Sequence, residues 1–177
     1  KYNDVKYMRK DTIFYIPCYK HLKKYFEIMD KCNQSYCIPH IYEPIFYNKR
    51  KYDINTKLDI YICEPNISIS KNSIIPLCII NEFLRKKENY DNIGNIIVFN
   101  SNKQNDYFKT NIIERLDMIK NSEKVKFMTR YPIHEIFSNS RCIILSHQTK
   151  NELNYLYYDA IYNDTLLVHN SKMFGID

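Results

Sequence analysis

Two cations stand where an apolar run gives way to polar residues. Lys71 lies in SISKNS, directly ahead of a candidate helix cap at Asn72 or Ser73, and Arg130 lies in MTRYP, directly after the apolar KVKFM. An ammonium ahead of a helix adds a full charge where the helix dipole already favours an anion. A guanidinium at the end of a strand can grip a phosphate with two parallel hydrogen bonds. Two uses compete for each residue: a surface cation, paired with Glu64 or Glu135, or a phosphate ligand. Their common position at the ends of apolar runs favours a shared phosphate-bearing ligand. A second cluster lies in NELNYLYYDAIYNDTLLVHNS, residues 151 to 171. At about 100° per helical residue, Leu153, Leu156, Tyr157, Ala160 and Ile161 form one buried stripe, with Glu152, Tyr155 and Asp159 along its flank. Such acids can hold the hydroxyls of a ribose or simply form a solvated acidic face.

These residues need a frame, and the chain supplies one from residue 58 onward. LDIYIC (58 to 63), NIIVF (95 to 99), KVKFM (124 to 128), RCIILS (141 to 146) and TLLV (165 to 168) are short apolar runs of strand length. Between them lie helical patterns. Pro76, Ile79, Ile80, Phe83 and Leu84 share a face in the first, and Phe108, Ile112, Ile113 and Leu116 in a second spanning 105 to 120. PIHEIFSN (132 to 139) opens on a proline suited to a first helical turn, and the stretch from 151 makes the fourth. Connections this long, joining apolar rather than alternating strands, predict an α/β fold with a doubly wound, Rossmann-like parallel sheet covered on both faces. In such a sheet ligands bind outside the carboxyl ends of the strands. That rim holds Glu64, Asn66, Ser68, Ser70 and Lys71, then Asn100 and Ser101, Thr129 and Arg130, Ser146, His147 and Gln148, and finally His169, Asn170 and Ser171. All five exits are polar.

Upstream, DTIFYIP (11 to 17) and SYCIP read as strands flanking a helix in YKHLKKYFEIMDKC. Residues 1–40 are therefore expected to be the tail end of an N-terminal α/β domain, a partial second segment. Residues 41–57 are expected to be an interdomain connector, and 58–177 a nucleotide-binding domain.

The totals exclude other classes. With 45% hydrophobic and 26% charged residues, the 177-residue chain is globular rather than disordered. No apolar run reaches membrane-spanning length. Four of the six cysteines (Cys18, Cys63, Cys78, Cys142) sit in or beside apolar runs, where burial of free thiols is expected, and a reducing, cytoplasmic compartment follows. Cys32, Cys37 and His40 lack a fourth ligand, so no metal site is expected. The net charge of +6 and 17 tyrosines also fit a nucleic-acid-binding module, but no basic run exceeds three residues, which argues against nucleic acid as the partner. Neither G-x-G-x-x-G nor G-x-x-x-x-G-K occurs, against ordinary NAD enzymes and P-loop NTPases. Abundant Lys, Asn, Ile and Tyr suit an AT-rich genome, such as a viral one.

ICEPNISISKNSIIPLCIINEFLR together with SHQTKNELNYLYYDAIYNDTLLVHNS resembles a family of glycosyltransferases of the two-Rossmann GT-B type, found in large DNA viruses and bacteria. The resemblance extends to IFYIPCYKHLKKYFEIM and CIPHIYEPIF, so it covers most of the chain. It implies a hexosyltransferase-like enzyme that uses a nucleotide-sugar donor, with no cofactor or metal, on an unknown glycan, protein or lipid acceptor in the cytoplasm of a host or in a virion. It implies Lys71 and Arg130 on the donor diphosphate, and Asn66, His147, Asn151, Glu152, Asn154, Asp159, Asn170 and Ser171 around its nucleoside and sugar. GT-B enzymes carry two acids about two turns apart on this helix. Asp159 takes the second place, whereas Asn151 stands in the first and Glu152 is one residue off. A catalytic base would come from His21, His40 or Glu43, and none is singled out. A complete enzyme of this type needs two halves of roughly 150 residues each, so the chain alone is expected to bind a donor weakly or to lack turnover, or to be a non-catalytic sugar-nucleotide-binding remnant.

Overall fold

A computed structural model describes residues 14–15, 36–37, 41–44, 53, 55–66, 70–101, 106–138, 141–149, 154–171 and 174. Two short strands, β1 (Phe14–Tyr15) and β2 (Tyr36–Cys37), pair in parallel, with Phe14 opposite Tyr36. The helix expected between them lies outside the described residues.

The main body is a five-stranded sheet of β3 (Leu58–Ile62), β4 (Ile93–Val98), β5 (Val125–Phe127), β6 (Cys142–Ser146) and β7 (Leu166–His169), in the order β5-β4-β3-β6-β7 with every pairing parallel. It is an α/β fold of the doubly wound, Rossmann-like kind. Helices α1 (Ile74–Leu84) and α2 (Lys87–Asn92) link β3 to β4. The β4–β5 connection holds α3 (Asp106–Asn111), a tight turn at Ile113–Arg115 and α4 (Asp117–Lys120). Helix α5 (Ile133–Ser138) precedes β6, and α6 (Tyr155–Tyr162) precedes β7.

Alternation along each strand sends successive side chains to opposite faces, and two cores result. Ile60, Ile62, Ile96 and Val98 pack with Leu77, Ile80 and Leu84 of α1 and Ile119 of α4. Tyr61, Ile144 and Cys142 pack with Ile136 and Phe137 of α5 and Ala160 of α6. Burial of this kind contributes roughly 1.5–3 kcal/mol for each large side chain.

Four expectations need correction. The helix expected over 105 to 120 is broken: Leu116 leaves helical geometry at φ −101°, ψ 83°. Buried Asn81 of α1 explains the restart, since its Oδ1 accepts the N–H groups of Met118 (3.0 Å) and Ile119 (3.4 Å) and so caps α4 from a neighbouring helix. Arg85 reinforces the junction by pairing with Glu82 at 3.0 Å and Asp117 at 2.8 Å. On α1 the buried face is Pro76, Leu77, Ile80, Asn81 and Leu84, while Ile79 and Phe83 are exposed, because Asn81 turns inward to serve α4 and rotates the stripe away from them. Cys78 on the same helix is also exposed rather than buried. Finally, β7 is an edge strand with only one face packed: Leu166 is 60% exposed, and Leu167 joins the α5–α6 core.

Candidate functional site

Strand order fixes where a ligand site belongs. From β3 the chain moves outward through β4 to β5, then returns across the sheet to β6 and β7. The switch point lies between the carboxyl ends of β3 and β6, on the rim where open sheets of this kind bind their ligands.

At that point the two exit loops are bound to each other. Lys71 and Gln148 form an isolated antiparallel bridge, and Thr149 N–H donates to Ser70 O at 2.9 Å. Glu64, the first residue of rim polarity after β3, is fully buried. Its Oε1 accepts the Ser146 hydroxyl and the His147 N–H, the latter at 3.0 Å. Tyr157 OH lies 2.9 Å from Ser146 Oγ, whose own proton is directed at Glu64. Gln148, also fully buried, accepts Asn154 Nδ2 at 2.9 Å. Asn154 thus spends its side chain on the β6 loop rather than on capping α6, which it precedes.

Above this network lies a cleft of about 730 Å³. Cys63, Pro65 and Lys71 line it from the β3 exit, Phe99 and Asn100 from the β4 exit, and Arg130 to Ile133 from the β5 exit; Asn154, Tyr155, Leu156 and Asp159 close it from the α6 side. Lys71 and Arg130, from different loops, therefore face one cavity. Burial pushes the Lys71 ammonium below its ordinary pKa, and Glu64 draws it back up. Burial pushes the Glu64 carboxyl above its ordinary range, opposed by the Ser146 hydroxyl, the His147 N–H and Lys71. The Tyr157 phenol, buried beside them, is pushed up to about 12. Tyr131 and Tyr155 stand at the cleft with 40% and 50% of their surface exposed.

The chain matches, over residues 5–176, the model of the family described as protein of unknown function DUF2827. It belongs to that family. No curated protein and no solved structure matches it.

In this DUF2827 chain, four of the expected site residues meet in the cleft: Lys71, Arg130, Asn154 and Asp159. Asp159 is buried, not merely on a flank, and Tyr42 OH donates to its Oδ1 at 2.7 Å. Four others have work elsewhere. Asn66, at φ 56°, accepts the Ser73 N–H and hydroxyl at 2.7 Å each and so pins the entry to α1. Asn170 Oδ1 accepts the Gln148 N–H at 3.1 Å while its Nδ2 meets His147 Nδ1 at 2.8 Å, joining the β6 and β7 exits. Ser171 N–H donates to His169 Nδ1 at 3.2 Å. Asn66, His147, Asn170 and Ser171 are thus placed beside the cleft rather than on its wall. Asn151 and Glu152 lie outside the described residues, as do His21 and His40. Since Asn154 is extended and α6 begins at Tyr155, the helical wheel drawn from 151 does not continue through Asn154. Ile161, expected in the buried stripe, is 57% exposed.

The cleft also holds residues that the sequence did not single out as ligands. Tyr131 and Tyr155 offer aromatic surface, and Asn100, at φ 57°, ties the β3 and β4 exits by donating to Cys63 O and Glu64 O at 3.3 and 3.2 Å. Position was the available signal for all three, since each follows a strand or opens a helix. Among the described residues, no three His, Cys, Asp or Glu side chains cluster as metal ligands, and no helix is long and apolar enough to cross a membrane.

Proposed function

We propose that this chain carries the donor site of a nucleotide-sugar-dependent glycosyltransferase, with the diphosphate held by Lys71 and Arg130. The supporting observation is that these two cations, from separate strand exits, line a single cleft that Asn154 and Asp159 also line. A diphosphate needs fixed positive charge without crowding, and one ammonium and one guanidinium supply it from two sides. Asp159 offers a carboxylate suited to hydroxyls, and the exposed rings of Tyr131 and Tyr155 offer flat surface for a base or a sugar face.

The chemistry follows from where charge appears. As the bond from the anomeric carbon to the diphosphate oxygen breaks, the electron pair passes to that oxygen, and negative charge grows on the leaving group. Lys71 and Arg130 then bind the transition state more tightly than the ground state. The acceptor oxygen bonds to the anomeric carbon and gives its proton to a base. Of His21, His40 and Glu43, Glu43 lies among the described residues.

The test is calorimetric titration with UDP-, GDP- and TDP-sugars. The wild-type chain is expected to bind one of them, and Lys71→Ala and Arg130→Ala are each expected to lose about tenfold or more in affinity, the equivalent of about 1.4 kcal/mol. Absence of binding to every donor, or affinity indifferent to both substitutions, overturns the proposal. Binding without sugar transfer would identify a non-catalytic donor-binding module.

A further inference from the structure

We propose that Glu64 is the positioning residue for Lys71: a buried carboxylate whose charge holds the ammonium, together with its loop, at the wall of the cleft. The inference deepens the diphosphate reading and takes its purpose from it.

Four geometric features carry it. Glu64 has no exposed surface, and a carboxylate is not left in such a place without compensation. One oxygen, Oε1, is engaged by Ser146 and His147 of the β6 exit. The other, Oε2, is buried and has no hydrogen-bond partner among the described residues. The next residue along that exit, Gln148, forms the bridge with Lys71, so the backbone segments that carry the two side chains meet in one knot. The two influence each other's titration in the sense expected of opposite charges in a shared low-dielectric pocket, each restoring the charged form that burial disfavours.

The other groups around Glu64 do not supply that compensation. The Cys63 thiol is pushed well up by burial, with Glu64 adding to the effect, and the Tyr157 phenol stays protonated and acts through Ser146. The His147 imidazole is engaged with Asn170, leaving only its backbone N–H for the carboxylate. Among the described residues, Lys71 is the cation that acts on Glu64.

The sign follows directly. Burial lowers the Lys71 pKa, so the ammonium is lost as pH rises through that lowered value; removing the Glu64 charge moves the loss to still lower pH. The test is a pH titration of the Lys71 side chain by ¹³Cε-lysine NMR, its signal identified as the one missing in Lys71→Met, alongside calorimetric titration of UDP over the same pH range. In Glu64→Gln the Lys71 midpoint is expected to fall. UDP affinity is expected to drop about tenfold on the alkaline side and to converge on wild type on the acid side. Glu64→Asp, which keeps the charge, is expected to restore most of both. An unmoved midpoint in Glu64→Gln, or a UDP loss uniform across pH, overturns the proposal. If Glu64→Gln does not fold, the reciprocal measurement decides: Lys71→Met is expected to raise the Glu64 carboxyl midpoint by ¹³C NMR, and no change overturns the proposal. Should the coupling be found while wild type binds none of UDP, GDP and TDP, Glu64 keeps its assignment and the diphosphate reading is what fails.

Discussion

At the scale of single residues, Asp159 shows how a side chain on the cleft wall is prepared by a distant part of the chain. Tyr42 comes from far upstream, stacks on Tyr158 with ring centroids 5.5 Å apart, and donates its hydroxyl to Asp159. Its phenol is held far above the ordinary range by burial first and by Asp159 second. Removing that hydroxyl leaves a buried carboxylate short of a donor, so Tyr42→Phe is expected to lose about 1–3 kcal/mol of stability in urea denaturation; a midpoint within error of wild type would mean the contact does not stabilise the fold. A hydroxyl-bearing ligand at Asp159 must share the carboxylate with Tyr42 or displace it. Residue types alone did not reveal this arrangement. Glu64 illustrates the same limit: a glutamate just past a strand reads as part of a wet rim, and only the pairing of β3 with β6 shows that Ser146 and His147 close over it.

At the scale of elements, the strands were the legible part. Five apolar runs bounded by polar loops mapped onto β3 to β7 within a few residues, because buried parallel strands admit little besides Ile, Val, Leu and aromatic side chains. Helix faces and ends were less legible. Ile79 and Phe83 satisfied the spacing of a buried stripe yet face outward, and the polar Asn81, which spacing assigns to the surface, is 3% exposed. The reason is that a helix is rotated by all of its neighbours, and α4 is one that periodicity within α1 does not contain. Asn81→Ala is expected to cost roughly 1–3 kcal/mol, since two N–H groups of α4 lose their acceptor in a partly or fully buried setting. Native-state hydrogen exchange should show faster exchange at Met118 and Ile119 in particular; uniform acceleration across the sheet would argue instead for a general loosening.

At the scale of the whole molecule, the position of the cleft follows from topology. A sheet wound outward twice from its centre gathers its loops at the carboxyl ends of the strands, and there the exits of β3, β4 and β5 line the cleft with α6 while the β3 and β6 exits are tied to each other. Which of those exits would face the cavity and which would be consumed in tying the loops together depends on loop conformation, which strand and helix periodicity does not encode. A ligand that binds only the folded chain stabilises it by mass action, so UDP at about one hundred times its dissociation constant is expected to add about 2.7 kcal/mol. For a chain of this size that is a rise of roughly 5–10 °C in melting temperature, absent in Lys71→Ala; an equal rise in that variant would place the ligand elsewhere. The bridge between Lys71 and Gln148 has one more consequence. Because the backbone at Ser70 and Lys71 is already stitched to the β6 exit when the protein folds, its conformational freedom is surrendered during folding and not on ligand arrival. Uptake there should resemble a key entering a finished lock, with association rates set by diffusion and charge instead of by a slow rearrangement of that loop.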